Sequence, residues 1–187
     1  MVSLAQLWLP ILLSGVFVFI ASSILHMLLK FWHMPDYHGF TNEDEVRAAV
    51  RKGNPAPGMY MLPWCKMEEM KQPAAQAKFT EGPVAFIILR ASGMPNMGKS
   101  LGLWFVFCLI VALFAGYLAI HALPVAAPYL HVFQIVGTAA FMGFAFGSLP
   151  MGIWWGQPWG AVAKDMIDGL IYASITAGTF GCFWPTS

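Results

Sequence analysis

Four stretches of the chain are almost unbroken apolar runs: Leu4 to Leu29, Leu101 to Leu123, Leu130 to Trp155 and Met166 to Trp184. A helix needs roughly 20 mostly apolar residues to cross about 30 Å of hydrocarbon, and each run has about that length. The pattern predicts an all-α membrane protein with four transmembrane helices, and a roughly 70-residue cytoplasmic segment of mixed helical and extended character between the first and second. The chain then divides into a first transmembrane helix at 1–29, a cytoplasmic segment at 30–100 and a three-helix transmembrane region at 101–187. The first run has no Lys or Arg before it and is too long for the apolar core of a signal peptide, so it is expected to persist as an anchor.

Between the first two runs the pattern changes. Asn42 followed three residues on by Glu45 is a capping-box-like start, Glu43 to Lys52 reads helical, and Gly53 with Pro55 stops it. An extended run from Asn54 to Pro63 leads to a second short helix, Cys65 to Lys71, expected to end before Pro73; Val84 to Leu89 is β-like. One or two strands make no stable sheet alone. This segment is therefore expected to pack on the membrane face or pair with a neighbouring chain, which implies a homo-oligomer or a place among other membrane-complex subunits.

Composition reinforces the membrane assignment, with 58% hydrophobic and 10% charged residues against about 45–50% and about 25% in soluble domains. A net charge of +1 gives no basis for a nucleic-acid partner. Nine of the ten Lys and Arg residues fall between Lys30 and Lys99, and the tenth is Lys164. By the positive-inside bias both termini should face outward. Cys65, Cys108 and Cys182 do not make a disulfide framework.

Lipid supplies no hydrophobic force between helices, so small residues that permit close approach mark the packing faces. Gly169, Ala173, Ala177 and Gly181 recur every four residues in the fourth run, and Ala139, Gly143 and Gly147 do so in the third. These faces are expected to meet, within a subunit or between subunits.

Candidate chemistry is sparse. Gly93, Gly98, Lys99 and Ser100 satisfy the phosphate-cradling pattern G-x-x-x-x-G-K-[ST]. The following helix runs into the bilayer, however, and no second strand ends in an acidic residue, so nucleotide binding ranks third among the functions considered. Lys99 and Ser100 are better placed for anionic lipid headgroups. His26 and Met27 recur as His33 and Met34 at seven-residue spacing, one face of a continuing helix, and Cys65, Met67 and Met70 are soft ligands of the kind that suit copper. His121 and His131 flank the turn between the second and third runs and are candidates for a haem or metal. Asp168 is expected to stabilise the first turn of the fourth helix. No nucleophile, base and oxyanion-stabilising set is present, so an enzyme is not expected.

Met1 to His26, the stretch NEDEVRAAVRKGNPAP from Asn42 to Pro57, and NMGKSLGLWF from Asn96 to Phe105 resemble small multi-pass bacterial inner-membrane proteins to which no activity is attached. The resemblance implies a bacterial inner membrane and four spans, with the termini on the periplasmic side by the charge bias. The function expected first is a structural or accessory membrane subunit. The alternative is a copper- or haem-binding membrane protein, with His26, His33, Cys65, Met67 and Met70 as metal ligands.

Overall fold

The computed structural model describes residues 2–187. Its internal contacts divide the chain into two units, one made of residues 2–37 with Asn96–Ser187, the other of His38–Pro95.

The first unit is helical. A 3-10 turn at Leu4–Leu7 leads into α1 (Trp8–Ser23), which continues through one π-type turn, Ile24–Leu28. After a break at Leu29 comes α2 (Lys30–His33), then a 3-10 turn at Met34–Asp36. The remainder is α5 (Met97–Ala122), α6 (Tyr129–Ala145), α7 (Ser148–Trp155) and α8 (Trp159–Cys182).

Three stretches, Leu4–Leu28, Met97–Ala122 and Tyr129–Trp155, are long and apolar enough to cross a membrane. This corrects the four-span expectation, because α8 is not among them. Its helix starts at Trp159, seven residues before the predicted start, and takes in Lys164 and Asp165. It also carries Asp168, Tyr172, Thr176 and Thr179, and all four are buried. The polarity of α8 is turned inward against its neighbours, so its average composition falls short of a lipid-facing span.

α6 and α8 form the most extensive helix pair, α1 packs on both α5 and α8, and α5 packs on α6. The core is built from small and β-branched residues, Ala112, Ala115, Ala119, Val132, Val136, Ala140 and Ala173, closed by Leu7 and Phe180. Such residues let backbones approach, which is how helices gain dispersion contacts without a hydrophobic drive. The small face of α8 does lie against α6, but opposite Ala145, Gly137 and Tyr129 and not opposite the predicted Gly143 and Gly147. A Cβ on Gly169 would lie 2.7 Å from the Ala145 Cβ, and one on Gly181 would lie 2.5 Å from the Tyr129 ring. Ala177 faces Gly137, whereas Gly143 faces Val111 of α5 and Gly147 has no neighbour within 4 Å.

The second unit contains α3 (Glu43–Lys52), α4 (Pro73–Glu81) and two strands, β1 (Gly58–Leu62) and β2 (Ala85–Leu89). The strands pair antiparallel with Gly58 opposite Leu89 and Leu62 opposite Ala85. The chain is therefore not all-α, since the two extended runs find each other across a helical excursion. Cys65 to Lys71 yields only a 3-10 turn at Met67–Glu69, and Pro73 opens α4 instead of terminating a helix. Proline suits the first helical position because the N–H it lacks has no partner there.

Candidate metal centre

The centre forms where the first span ends. Leu29 donates its N–H to the Ile24 carbonyl five residues back at 3.0 Å, and this widened turn precedes the break into α2. π-type turns of this kind frequently occur at functional sites. His26 lies in the widened turn and His33 at the end of α2, and their rings stack at 4.4 Å between centroids and 12° between planes. The seven-residue spacing thus does bring the two imidazoles together, although the helix between them is interrupted.

Their partner is Asp168, the tenth residue of α8 and only 3% exposed. This corrects its expected place in a helix's first turn. Asp168 Oδ1 accepts a hydrogen bond from Trp32 Nε1 at 2.8 Å, and Oδ2 lies 2.7 Å from His33 Nε2 and 3.5 Å from His26 Nε2. Burying a carboxylate is costly unless it is paired and hydrogen-bonded, and here three side chains from the end of the first span and α2 supply that compensation.

A further layer surrounds this trio. His33 Nδ1 is 3.5 Å from Asp36 Oδ2, while Asp36 Oδ1 accepts from Lys164 Nζ at 2.6 Å. That hydrogen bond to Lys164 is the main reason the Asp36 carboxyl is held below its ordinary value of 3.8, against the opposing effect of burial. The Lys164 ammonium also lies 5.8 Å from the centre of the Trp32 ring, and Asp165 accepts from Gln157 at 2.9 Å. The Lys164 ammonium is thus paired with Asp36, while Asp168 is held by Trp32 and the two imidazoles.

The donor atoms of His26, His33 and Asp168 all lie within 4.8 Å of one another, as metal ligands must. Bonds of 2.0–2.2 Å in a tetrahedral site put ligand atoms about 3.4 Å apart. The His26 to Asp168 separation of 3.5 Å already matches. The 2.7 Å between His33 and Asp168 is a hydrogen-bond length, so a metal replacing the shared proton would open it by about 0.7 Å. Imidazole lone pairs lie in the ring plane, so one of the stacked rings must tilt. His26, with 49% of its side chain exposed against 14% for His33, is the ring free to do so. Asp168 has an outer partner of the kind such sites use, the indole N–H on its far oxygen, and the Asp36 carboxylate lies 3.5 Å from the far nitrogen of His33 without a hydrogen bond.

Among the other sequence candidates, Cys65, Met67 and Met70 belong to the second unit, and among the described histidines, cysteines and carboxylates only His26, His33 and Asp168 form a ligand group of three. His121 turns back to the Tyr117 carbonyl of its own helix at 2.8 Å, and His131 is exposed on the first turn of α6. The Lys99 N–H is already taken by the Asn96 side chain at 2.9 Å and the Ser100 N–H by the Asn96 carbonyl at 3.1 Å. With β2 in an antiparallel pair, no phosphate cradle on a parallel sheet is formed. Trp32, Asp36 and Lys164 join the site without any signal in the sequence beyond their proximity to His33 and Asp168 along the chain. Comparison with protein-family models, curated proteins and solved structures finds no match.

Proposed function

We propose that this chain is an integral membrane protein that holds a divalent transition-metal ion between His26, His33 and Asp168. The observation that carries the proposal is the convergence of two imidazoles and a buried carboxylate from elements 135 residues apart, the carboxylate held in place by the Trp32 indole. Two nitrogens and one oxygen suit Zn(II) or Cu(II), whereas Cu(I) prefers thiolate or thioether. Three protein ligands leave a coordination position for a water or a substrate, the arrangement of catalytic sites and not of closed structural ones. The charge bias supports a position for the centre at the cytoplasmic edge of a bacterial inner membrane.

The test is metal analysis of protein purified in mild detergent, stripped, reloaded with zinc or copper and dialysed. One ion per chain is expected, with most of it lost in His33→Ala and Asp168→Asn and retained in His131→Ala. Circular dichroism checks that each variant is folded. A wild-type protein that retains no metal, or a folded His33→Ala that retains it fully, would overturn the proposal.

A further inference from the structure

Asp168 and His33 expose 4% and 14% of their side chains, whereas His26 exposes 49%, so the cluster's open side is the His26 side. A cavity of about 280 Å³ adjoins it there, between the end of the first span and the start of α5, with His26 in its wall.

The remaining walls define the guest. Met27, Leu101 and the Trp104 ring make most of the surface apolar. The polar groups are three hydroxyls, and each already donates: Ser22 and Ser23 to the Phe19 carbonyl, Ser100 to the Asn96 carbonyl. Ser22 also accepts from Trp104 Nε1 at 2.8 Å, which ties the two walls together. The hydroxyl oxygens therefore remain acceptors. Both helices carrying the cavity belong to stretches apolar enough to span a membrane, and its walls are mostly apolar.

Resting on the metal proposal, we infer that the open coordination position serves a membrane-soluble amphiphile: an apolar chain with a hydroxyl-bearing oxygen head. The oxygen ligates the ion beside His26, the head's O–H is accepted by a serine oxygen, and the chain lies against Met27, Leu101 and Trp104. The cavity lies just below the roughly 300–1,000 Å³ of typical ligand pockets, which fits a small head with a short apolar segment while the rest of the chain remains in lipid.

The experiment uses the full chain in lipid nanodiscs, loaded with Co(II) and titrated with acetohydroxamate and octanohydroxamate while the visible Co(II) spectrum is followed. Octanohydroxamate should bind at least tenfold more tightly. Leu101→Trp, which fills the cavity, should abolish that preference while Co(II) remains bound, and Ser23→Leu serves the same purpose if Leu101→Trp fails to fold. Simple partitioning of octanohydroxamate into lipid acts equally on wild type and variants, so a preference that survives either folded variant overturns the inference. Equal binding of the two probes to Co(II)-loaded wild type overturns it as well and leaves the metal centre standing. Failure to take up Co(II) removes the metal centre and this inference together.

Discussion

Trp32→Phe tests the centre most directly, because it keeps an aromatic ring under Lys164 and deletes one hydrogen bond. The Trp32 indole is the partner of Asp168 Oδ1, at 2.8 Å, on a carboxylate that is 3% exposed. A hydrogen bond to a charged group contributes about 1.5–3 kcal/mol, and leaving such a group buried without its partner lies toward the costly end of that range. The cation–π contact, with the ammonium 5.8 Å from the ring centre, is worth about 0.5–1 kcal/mol and is partly kept by Phe. We therefore expect the metal-free protein to lose about 3 kcal/mol of stability. Outer partners of metal ligands typically change affinity by about 10- to 100-fold. Because Trp32 also holds Asp168 in the metal-free state, only the difference between the two states enters, and the expected loss of affinity is about tenfold. The assays are denaturant titration in detergent followed by circular dichroism, and calorimetric zinc titration of the same samples. Changes below about 0.5 kcal/mol and threefold would mean that the indole does not hold the carboxylate, and the reasoning about the outer layer would fail with it.

Three other outcomes follow from the packing and the charge network. Gly169→Ala sets a methyl 2.7 Å from Ala145 Cβ, whereas Gly102→Ala meets nothing within 4 Å; both gain the same helix propensity of roughly 1 kcal/mol, so their stability difference isolates an overpacking cost of about 1–3 kcal/mol. A difference near zero in thermal unfolding would mean that α6 and α8 are not in close contact at that point. The lowered Asp36 carboxyl gives a pH dependence with a definite sign: its contribution is present above its unfolded value of 3.8 and is lost as pH falls through the lower folded value. Wild type should thus lose more stability than Asp36→Asn as metal-free samples are taken from pH 5 to pH 3, and parallel melting curves would contradict the Lys164 tie. Ser22→Ala should destabilise by about 1 kcal/mol by removing the oxygen that Trp104 Nε1 bonds at 2.8 Å, readable as a shift in Trp fluorescence together with a lowered melting temperature.

What could be read ahead of the structure tracks how local each signal is. α3 forms over Glu43–Lys52 and stops at Gly53, because acidic residues at its start and a glycine at its end act within one turn. The strand pair was half legible: both extended runs were visible, but their pairing brings Leu62 opposite Ala85 across an intervening helix. Pro73 was ambiguous, since a proline can follow one helix or open the next, and only what precedes it decides.

The chain's apolar runs determined by themselves that helices form and that three of the four expected spans can cross hydrocarbon, since length and hydropathy are properties of a contiguous segment. They also placed His26 and His33 at a spacing that lets their rings meet. Whether α8 faces lipid, and whether Asp168 serves as a helix-end charge or as the third donor, depended on which side of α8 packs against the first span. That choice was made by close approach at Gly169 and Gly181 and by the hydrogen bonds of Trp32 and His33, contacts between residues far apart along the chain that no local pattern encodes.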